Sequence, residues 1–484
     1  MTVRHPLALW CLCVALLLGS ACTSAQQTGA DADDGRQPSL RQFSAWLDAF
    51  NIGDRERYEE FLADNFPSLL ASVDEEMGFR QLTGGFDLQK LEHVTATEVT
   101  GLVQERASDQ FARFELQVEA TEPHVILSLN LAAIARPDEF AIERLTEGEA
   151  IAGVEALLET ETAADRFSGA VLVARDGEIL FSDAYGLADR ERGIANTLRT
   201  RFRIGSMNKM VTAVAILQLV EAGTIELDAP LGEYLTDYPN VRLANEVTIH
   251  HLLTHTGGTG DIFGPDFDAN REELRTLDDY VELYGTRGFE FKPGNRWAYS
   301  NYGFVLLGVV IDRVTGQTYY DYVQEHIHEP AGMTSSGSLP EDQTVPGRSI
   351  GYMKPPATTD WVPNIDTLPY RGTSAGGGYS TVEDLARFAD ALLSHELLSP
   401  ESTQLLITAK VESGPGAGYA YGFDDSRDAD GNGFVGHGGG APGMNGDLRI
   451  YPRSGYVVVV LANLDPPAAQ RIADYLDARL PMER

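Results

Sequence analysis

The sequence predicts a two-part chain. A small α+β domain comes first. A larger domain of mixed α+β and α/β type succeeds it, in which an antiparallel sheet flanked by helices joins an all-helical subdomain. Three observations carry this. Apolar spacing before residue 145 changes from helical to period two. Hairpin signals stand at both ends of the segment from residue 146 to the C-terminus. Between those hairpins lie long apolar stretches with helix start and stop signals. At 484 residues the chain is also too long for one small domain.

The first domain is expected over residues 39–145. Ser39 caps a helix whose apolar residues Leu40, Phe43, Leu47 and Phe50 share a face, and Gly53-Asp54 ends it. Tyr58, Phe61 and Leu62 add a turn or two. Phe114, Leu116 and Val118, then Val125, Leu127, Leu129 and Leu131, alternate with polar residues as strands do. By pattern this unit resembles the cystatin-like (nuclear-transport-factor-2-like) α+β domains, which implies a structural or docking module.

The second domain is expected over 146–484. A helix over Ala150–Leu158 leads to a strand at Gly169–Ala174, a turn at Asp176-Gly177 and a returning strand at Ile179–Ser182. At the far end, Leu448–Tyr451 and Val457–Leu461 flank a turn at Pro452–Gly455, and a helix runs from about Ala468 to Leu480. The first and last strands of the segment make one sheet, and the helical middle, Asn208 to roughly Ser394, packs against it.

The N-terminus reads as an export signal over 1–25, with a polar leader at 26–38 carrying Asp31, Asp33 and Asp34. Arg4 and His5 precede an apolar run, Leu7–Leu18, that is too short to span a membrane. Cleavage after Ala25 releases a soluble protein. Cleavage after Ala21 leaves Cys22 as a lipid-modified first residue; the segment resembles a bacterial lipobox, with Gly19 where that pattern prefers leucine. The expected location is therefore the periplasm, with membrane contact only through Cys22. The three cysteines, Cys11, Cys13 and Cys22, all lie here, so the remaining chain has no disulfide and no thiol nucleophile. A net charge of -35 and pI near 4.5 exclude a nucleic-acid partner.

Chemistry concentrates in three segments. Ser206-Met207-Asn208-Lys209 opens an apolar helix that runs through Met210, Val211, Val214, Ile216, Leu217, Leu219 and Val220 to Gly223. A serine hydroxyl needs a base beside it. Residues three apart share a helical face, so Lys209 lies over Ser206. Burial and the positive helix N-terminus both favour a neutral lysine there. Only five of the 37 basic residues are lysines (Lys90, Lys209, Lys292, Lys354 and Lys410), and arginine could not serve as a base. The second segment is Tyr299-Ser300-Asn301, ahead of the apolar stretch Phe304–Val310. Its phenol needs a cationic neighbour to act as a base, and Asn301 can orient Lys209 or hold a substrate carbonyl. The third is His437-Gly438-Gly439-Gly440, where glycines allow close backbone approach and a free strand edge could donate an N–H to an oxyanion.

In that order the three segments resemble the serine β-lactamase-related family, which holds class C β-lactamases, D-Ala-D-Ala carboxypeptidases, D-aminopeptidases and serine esterases. Phe202–Gly205, Leu252–Gly258 and Ala375–Thr381 agree with the same family. The resemblance spans about residues 150–484 and implies the β-lactamase/transpeptidase-like fold. It implies Ser206 as the acylated nucleophile, with Lys209 and Tyr299 sharing acid and base work. It implies Asn301, His437, Gly438, Gly439 and Gly440 at the substrate, with the Ser206 and Gly440 N–H groups as the oxyanion hole. Where many β-lactamases carry K-T-G, this chain has His437-Gly438-Gly439, and histidine is mostly neutral at pH 7. An exported hydrolase of esters or D-peptides is therefore expected ahead of a β-lactamase. A non-catalytic envelope-binding protein of the same fold is the alternative from another class. The expected partner is a small-molecule or peptide substrate, with no cofactor and no metal.

Three other features have structural readings. His250, His251 and His255 lack a carboxylate or thiolate at ligand spacing. His326 and His328 are expected partly exposed. The run Asp424–Gly431 lacks the late glutamate of a calcium loop and reads as an acidic hairpin.

Overall fold

A computed structural model describes residues 37–355, 360–414 and 417–482. The signal, Cys22 and the acidic leader patch lie outside the described residues. The chain divides between Arg136 and Pro137 into two compact units.

In the first unit, helices α1 (Pro38–Ile52), α2 (Arg55–Asn65) and α3 (Val73–Thr83) precede an antiparallel meander. Its strands are β1 (Phe86–Val94), β2 (Glu98–Glu105), β3 (Phe111–Val118) and β4 (Ile126–Ile134). Aromatic residues fill the space between the layers. Phe43 of α1 stacks on Phe114 of β3 with ring centroids 3.8 Å apart, and Trp46 Nε1 donates to the Tyr58 hydroxyl at 3.1 Å. The strands β1 and β2 have no counterpart in the sequence reading. The β1–β2 pairing slips at Leu88/Lys90 and again at Leu91/His93, which breaks the period-two signal.

The second unit opens on α4 (Glu147–Ala163), begun by a Thr146/Glu149 capping box and longer than the expected 150–158. Strands β5 (Gly169–Arg175) and β6 (Glu178–Tyr185) come next. The helical middle contains α5 (Asn208–Glu221), α6 (Asn301–Thr315) and α7 (Val382–Leu393), with shorter turns between. Strands β7 (Val411–Gly414), β8 (Ala417–Tyr419), β9 (Asp424–Asp425), β10 (Val435–Ala441), β11 (Met444–Ile450) and β12 (Tyr456–Ala462) return, and α8 (Ala468–Arg479) ends the unit. One eight-stranded antiparallel sheet results, in the order β7-β8-β9-β10-β11-β12-β5-β6.

Both faces of this sheet are covered, which explains why β5 and β12 read as unbroken apolar runs. On β12, Val457, Val459 and Leu461 face the core shared with the helical middle. Val458 and Val460 face Val154 and Leu158 of α4 and Ile472 and Leu476 of α8. The helix α5 lies at the centre of the first core. Its residues Asn208–Leu217 are all buried.

One charged cluster sits inside the sheet. Arg449 and Asp447, each 5% exposed, pair at 3.0 Å, and Arg449 also reaches Asp474 of α8 at 2.6 Å. Removing one partner of a buried pair leaves the other charge unsolvated. Arg449→Met is therefore expected to destabilise the second unit by about 3–5 kcal/mol. Urea unfolding at neutral pH measures this. An unchanged midpoint would mean that Asp447 finds another partner.

Candidate active site

Ser206 occupies a single 3-10 turn, Gly205–Met207, immediately before α5, so the candidate nucleophile precedes the helix and does not sit within it. Gly205 takes φ +54°, a left-handed turn that a side chain resists. From Ile204 to Leu217, Ser206 is the one residue not fully buried. The turn thus delivers one hydroxyl to the surface of an otherwise closed core.

Lys209 lies in the first turn of α5 and is wholly buried. Its Nζ is 3.2 Å from Ser206 Oγ and 2.7 Å from Asn301 Oδ1, and it donates to the Ala375 carbonyl. A neutral amine has two N–H donors and one lone pair. The oxygens of Asn301 and Ala375 accept but cannot donate, so they take the two N–H groups. The lone pair is left for the Ser206 hydroxyl proton. Burial pulls the Lys209 pKa down to about 7, against the opposing pull of the Asp261 carboxylate.

The Asn301 amide is oriented from behind. Its backbone N–H donates to Asp261 Oδ1 and its Nδ2 to Asp261 Oδ2, both at 3.2 Å, which leaves Oδ1 for Lys209. Ser300 caps α6 by accepting from the Gly303 N–H at 2.9 Å, so the helix and the asparagine that holds Lys209 begin together. The Tyr299 ring faces Lys209, with Nζ 4.6 Å from its centroid, and lies 4.3 Å from the His255 ring.

The His437–Gly440 segment is part of β10, ahead of the β11–β12 hairpin. Its neighbour β9 pairs only Val435 and Gly436, so the edge is free from His437 onward. Ala441 and Met444 close a two-residue turn into β11, and antiparallel alternation then aims the Gly440 N–H away from β11. A Cβ on Gly205 would come within 3.2 Å of the Gly440 nitrogen, and one on Gly439 within 2.0 Å of the Ile204 carbonyl. The strand can approach the nucleophile turn this closely only as glycine. Asn445, wholly buried on β11, donates from Nδ2 to the Gly439 carbonyl at 2.9 Å and accepts from the Ala469 N–H at 2.6 Å.

The structure brings Ser206, Lys209, Tyr299, Asn301 and the glycine strand together. It gives His437 a different place from the one expected at the substrate. The residue is 6% exposed, and its Nε2 and Nδ1 engage the Tyr419 hydroxyl and the Gly438 carbonyl. Burial first, and Lys209 second, pull its pKa down to about 4, so it is neutral at pH 7. Gly438 is likewise occupied, as the acceptor for that ring. Asp261 and Tyr419 escaped the sequence reading because neither belongs to a spaced motif. The other histidines have separate partners: His250 the Tyr421 hydroxyl, His251 the Thr248 N–H. His328 is buried, against expectation, at the end of a turn of π-helix, Gln324–His328. In the acidic run, Asp428 closes the loop by accepting from the N–H groups of Asp430 and Asn432.

A β-lactamase family model matches residues 154–481. The chain belongs to the β-lactamase family. Esterase EstB of Burkholderia gladioli is 32% identical over 60% of this chain and 83% of its own. A penicillin-binding protein from Bacillus halodurans has a solved structure that is 36% identical, with a TM-score of 0.62, covering 66% of this chain and 99% of its own. A D-stereospecific amidohydrolase from Streptomyces sp. is 26% identical, with a TM-score of 0.55, covering 67% and 97%. The family match leaves the first unit outside it.

Lys209 must be neutral to accept a proton. Activity is therefore expected to rise with pH through about 7 and then level off. Asp261→Asn removes the anion that favours the charged amine, so the rising limb should move to lower pH. Lys209→Arg, permanently charged, should lose about 10²–10⁴-fold. Profiles of kcat/KM against pH read all three, and a limb that stays put in Asp261→Asn would remove Asp261 from the account.

Proposed function

We propose that this protein is an exported serine hydrolase that transfers the acyl group of an uncharged ester or amide to Ser206 and then to water. The observation that carries this reading is the buried Lys209, its Nζ within hydrogen-bond reach of Asn301, Ala375 and Ser206, so that in the neutral amine the two pure acceptors take the N–H groups and the lone pair is left for Ser206. The Ser206 proton passes to Lys209 as Oγ bonds the acyl carbon. The N–H groups of Ser206 and Gly440 receive the oxyanion, a contribution of about 3–4 kcal/mol to the barrier in such sites. The proton then leaves with the alcohol or amine through Lys209 and the Tyr299 ring beside it. Water repeats the sequence and frees Ser206.

The uncharged substrate is inferred from His437. Neutral, and with both nitrogens spent inside the protein, it offers no fixed cation to a substrate carboxylate. The relatives named as an esterase and a D-stereospecific amidohydrolase support an ester or amide as the acyl donor. Export rests on the sequence alone, on Arg4, His5 and the Leu7–Leu18 run.

Incubation with p-nitrophenyl butyrate, then mass spectrometry of the intact protein, tests the reading. Wild type should release nitrophenol and carry a butyryl group on Ser206, and Ser206→Ala should do neither. Equal background rates in the two would leave the non-catalytic binding protein as the better account. A panel of penicillin, D-amino-acid amide and ester then identifies the acyl donor, with penicillin expected to be the slowest.

A further inference from the structure

Three buried rings stand in a row behind the reacting groups. His255 and Tyr419 are each 1% exposed and His437 is 6% exposed. The Tyr419 hydroxyl is 3.0 Å from His255 Nε2 and 3.2 Å from His437 Nε2. At one end His255 Nδ1 accepts the Ser300 N–H at 3.1 Å, and at the other His437 Nδ1 lies 2.5 Å from the Gly438 carbonyl.

Every proton in this row can be placed by elimination. The Ser300 N–H can only donate, so His255 Nδ1 accepts and the neutral ring carries its proton on Nε2. That proton goes to the Tyr419 oxygen. The Tyr419 proton is then free for His437 Nε2, which must accept. His437 carries its own proton on Nδ1 and donates it to the Gly438 carbonyl. Burial holds both imidazoles neutral and keeps the phenol protonated, which agrees with this assignment.

We propose that Tyr419 is a positioning residue for acyl transfer: its hydroxyl fixes the His437 tautomer and so ties the glycine strand to the Tyr299–Asn301 loop across the site. The strand needs such a tie. Beyond Gly436 it has lost its sheet neighbour on the cleft side, and glycines at 438, 439 and 440 supply no side chains to anchor it. His437 is therefore the last side chain holding β10 before the Gly440 N–H. The other end of the tie is held just as firmly. His255 has φ +58°, a left-handed conformation that a non-glycine residue resists and that persists where surrounding contacts impose it. Here those contacts are the Ser300 N–H, the Tyr419 hydroxyl and the Tyr299 ring. Tyr419 acts through His255 and His437, and so sets the distance between the two walls that carry the reacting groups.

The proposal rests on the acyl-transfer reading for its kinetics and not for its spectroscopy. In wild-type protein labelled with ¹⁵N-histidine, long-range NMR correlations should show His255 as the Nε2–H tautomer and His437 as the Nδ1–H tautomer at pH 7. His437 as imidazolium, or as the Nε2–H form, overturns the proposal without any variant. Tyr419→Phe should release His437 into a mixture of tautomers while His255 keeps its form. The same variant should lose about 10–100-fold in kcat on p-nitrophenyl butyrate, with KM within about threefold, as expected for misplaced reacting groups. A kcat within about twofold of wild type, with the tautomer released, would show that the tie does not position the site. A wild type inert toward every acyl donor defeats the proposed function alone, and the tautomer pair still decides whether the tie exists.

Discussion

Lys209 Nζ has two fixed acceptors, the Asn301 and Ala375 oxygens, and a third neighbour, Ser206 Oγ, that can either accept or donate. That asymmetry is what a serine hydroxyl would need beside it to act as a nucleophile. It holds only while water is kept out, because a hydrated lysine would remain charged at neutral pH. The apolar surroundings of α5 therefore act on the chemistry as well as on stability. The aromatic rings of Tyr299 and Phe304, 4.6 and 5.5 Å from Nζ, help to close the space and soften the charged state when the proton arrives. Asp261 works in the opposite direction, and the balance between its charge and burial sets where the amine titrates.

The second domain supplies these neighbours from segments far apart in the chain. The turn before α5 brings the serine and lysine, the start of α6 brings Tyr299 and Asn301, and β10 brings the glycines. The sheet makes this convergence possible by being buried on both faces. Alternate residues of β12 lock it to α4 and α8 on one side and to the helical middle on the other. Against that backing β10 leaves part of its edge unpaired beyond Gly436. The missing strand neighbour is replaced by the nucleophile turn, close enough that a side chain at position 439 would strike the Ile204 carbonyl.

Much of this was readable in the sequence where a local rule applied. Short apolar runs beside turn signals, at Gly169–Ala174 and Val457–Leu461, became β5 and β12, and the apolar stretch after Lys209 became α5. The Ser206–Lys209 pairing was readable too, since three-residue spacing survives the change from α-helix to the 3-10 turn that the structure shows. What escaped depends on distant partners. Asp261 matters only because α6 begins beside it, and Tyr419 only because β8 passes between two histidines. His437 was legible as a departure from lysine but not as a buried ring, because nothing local marks which side of a glycine-rich strand its one side chain takes.

Asn445 has a consequence for the reacting atoms that distance alone does not convey. Its amide donates to the Gly439 carbonyl, and its own orientation is fixed by the Ala469 N–H it accepts. A carbonyl that accepts a hydrogen bond draws electron density along its peptide group, and the nitrogen of that same group belongs to Gly440. The N–H turned toward the nucleophile is thereby more acidic than that of an isolated peptide. The dipole of a residue wholly buried in the sheet is felt at the surface as a stronger donor, prepared before any substrate arrives.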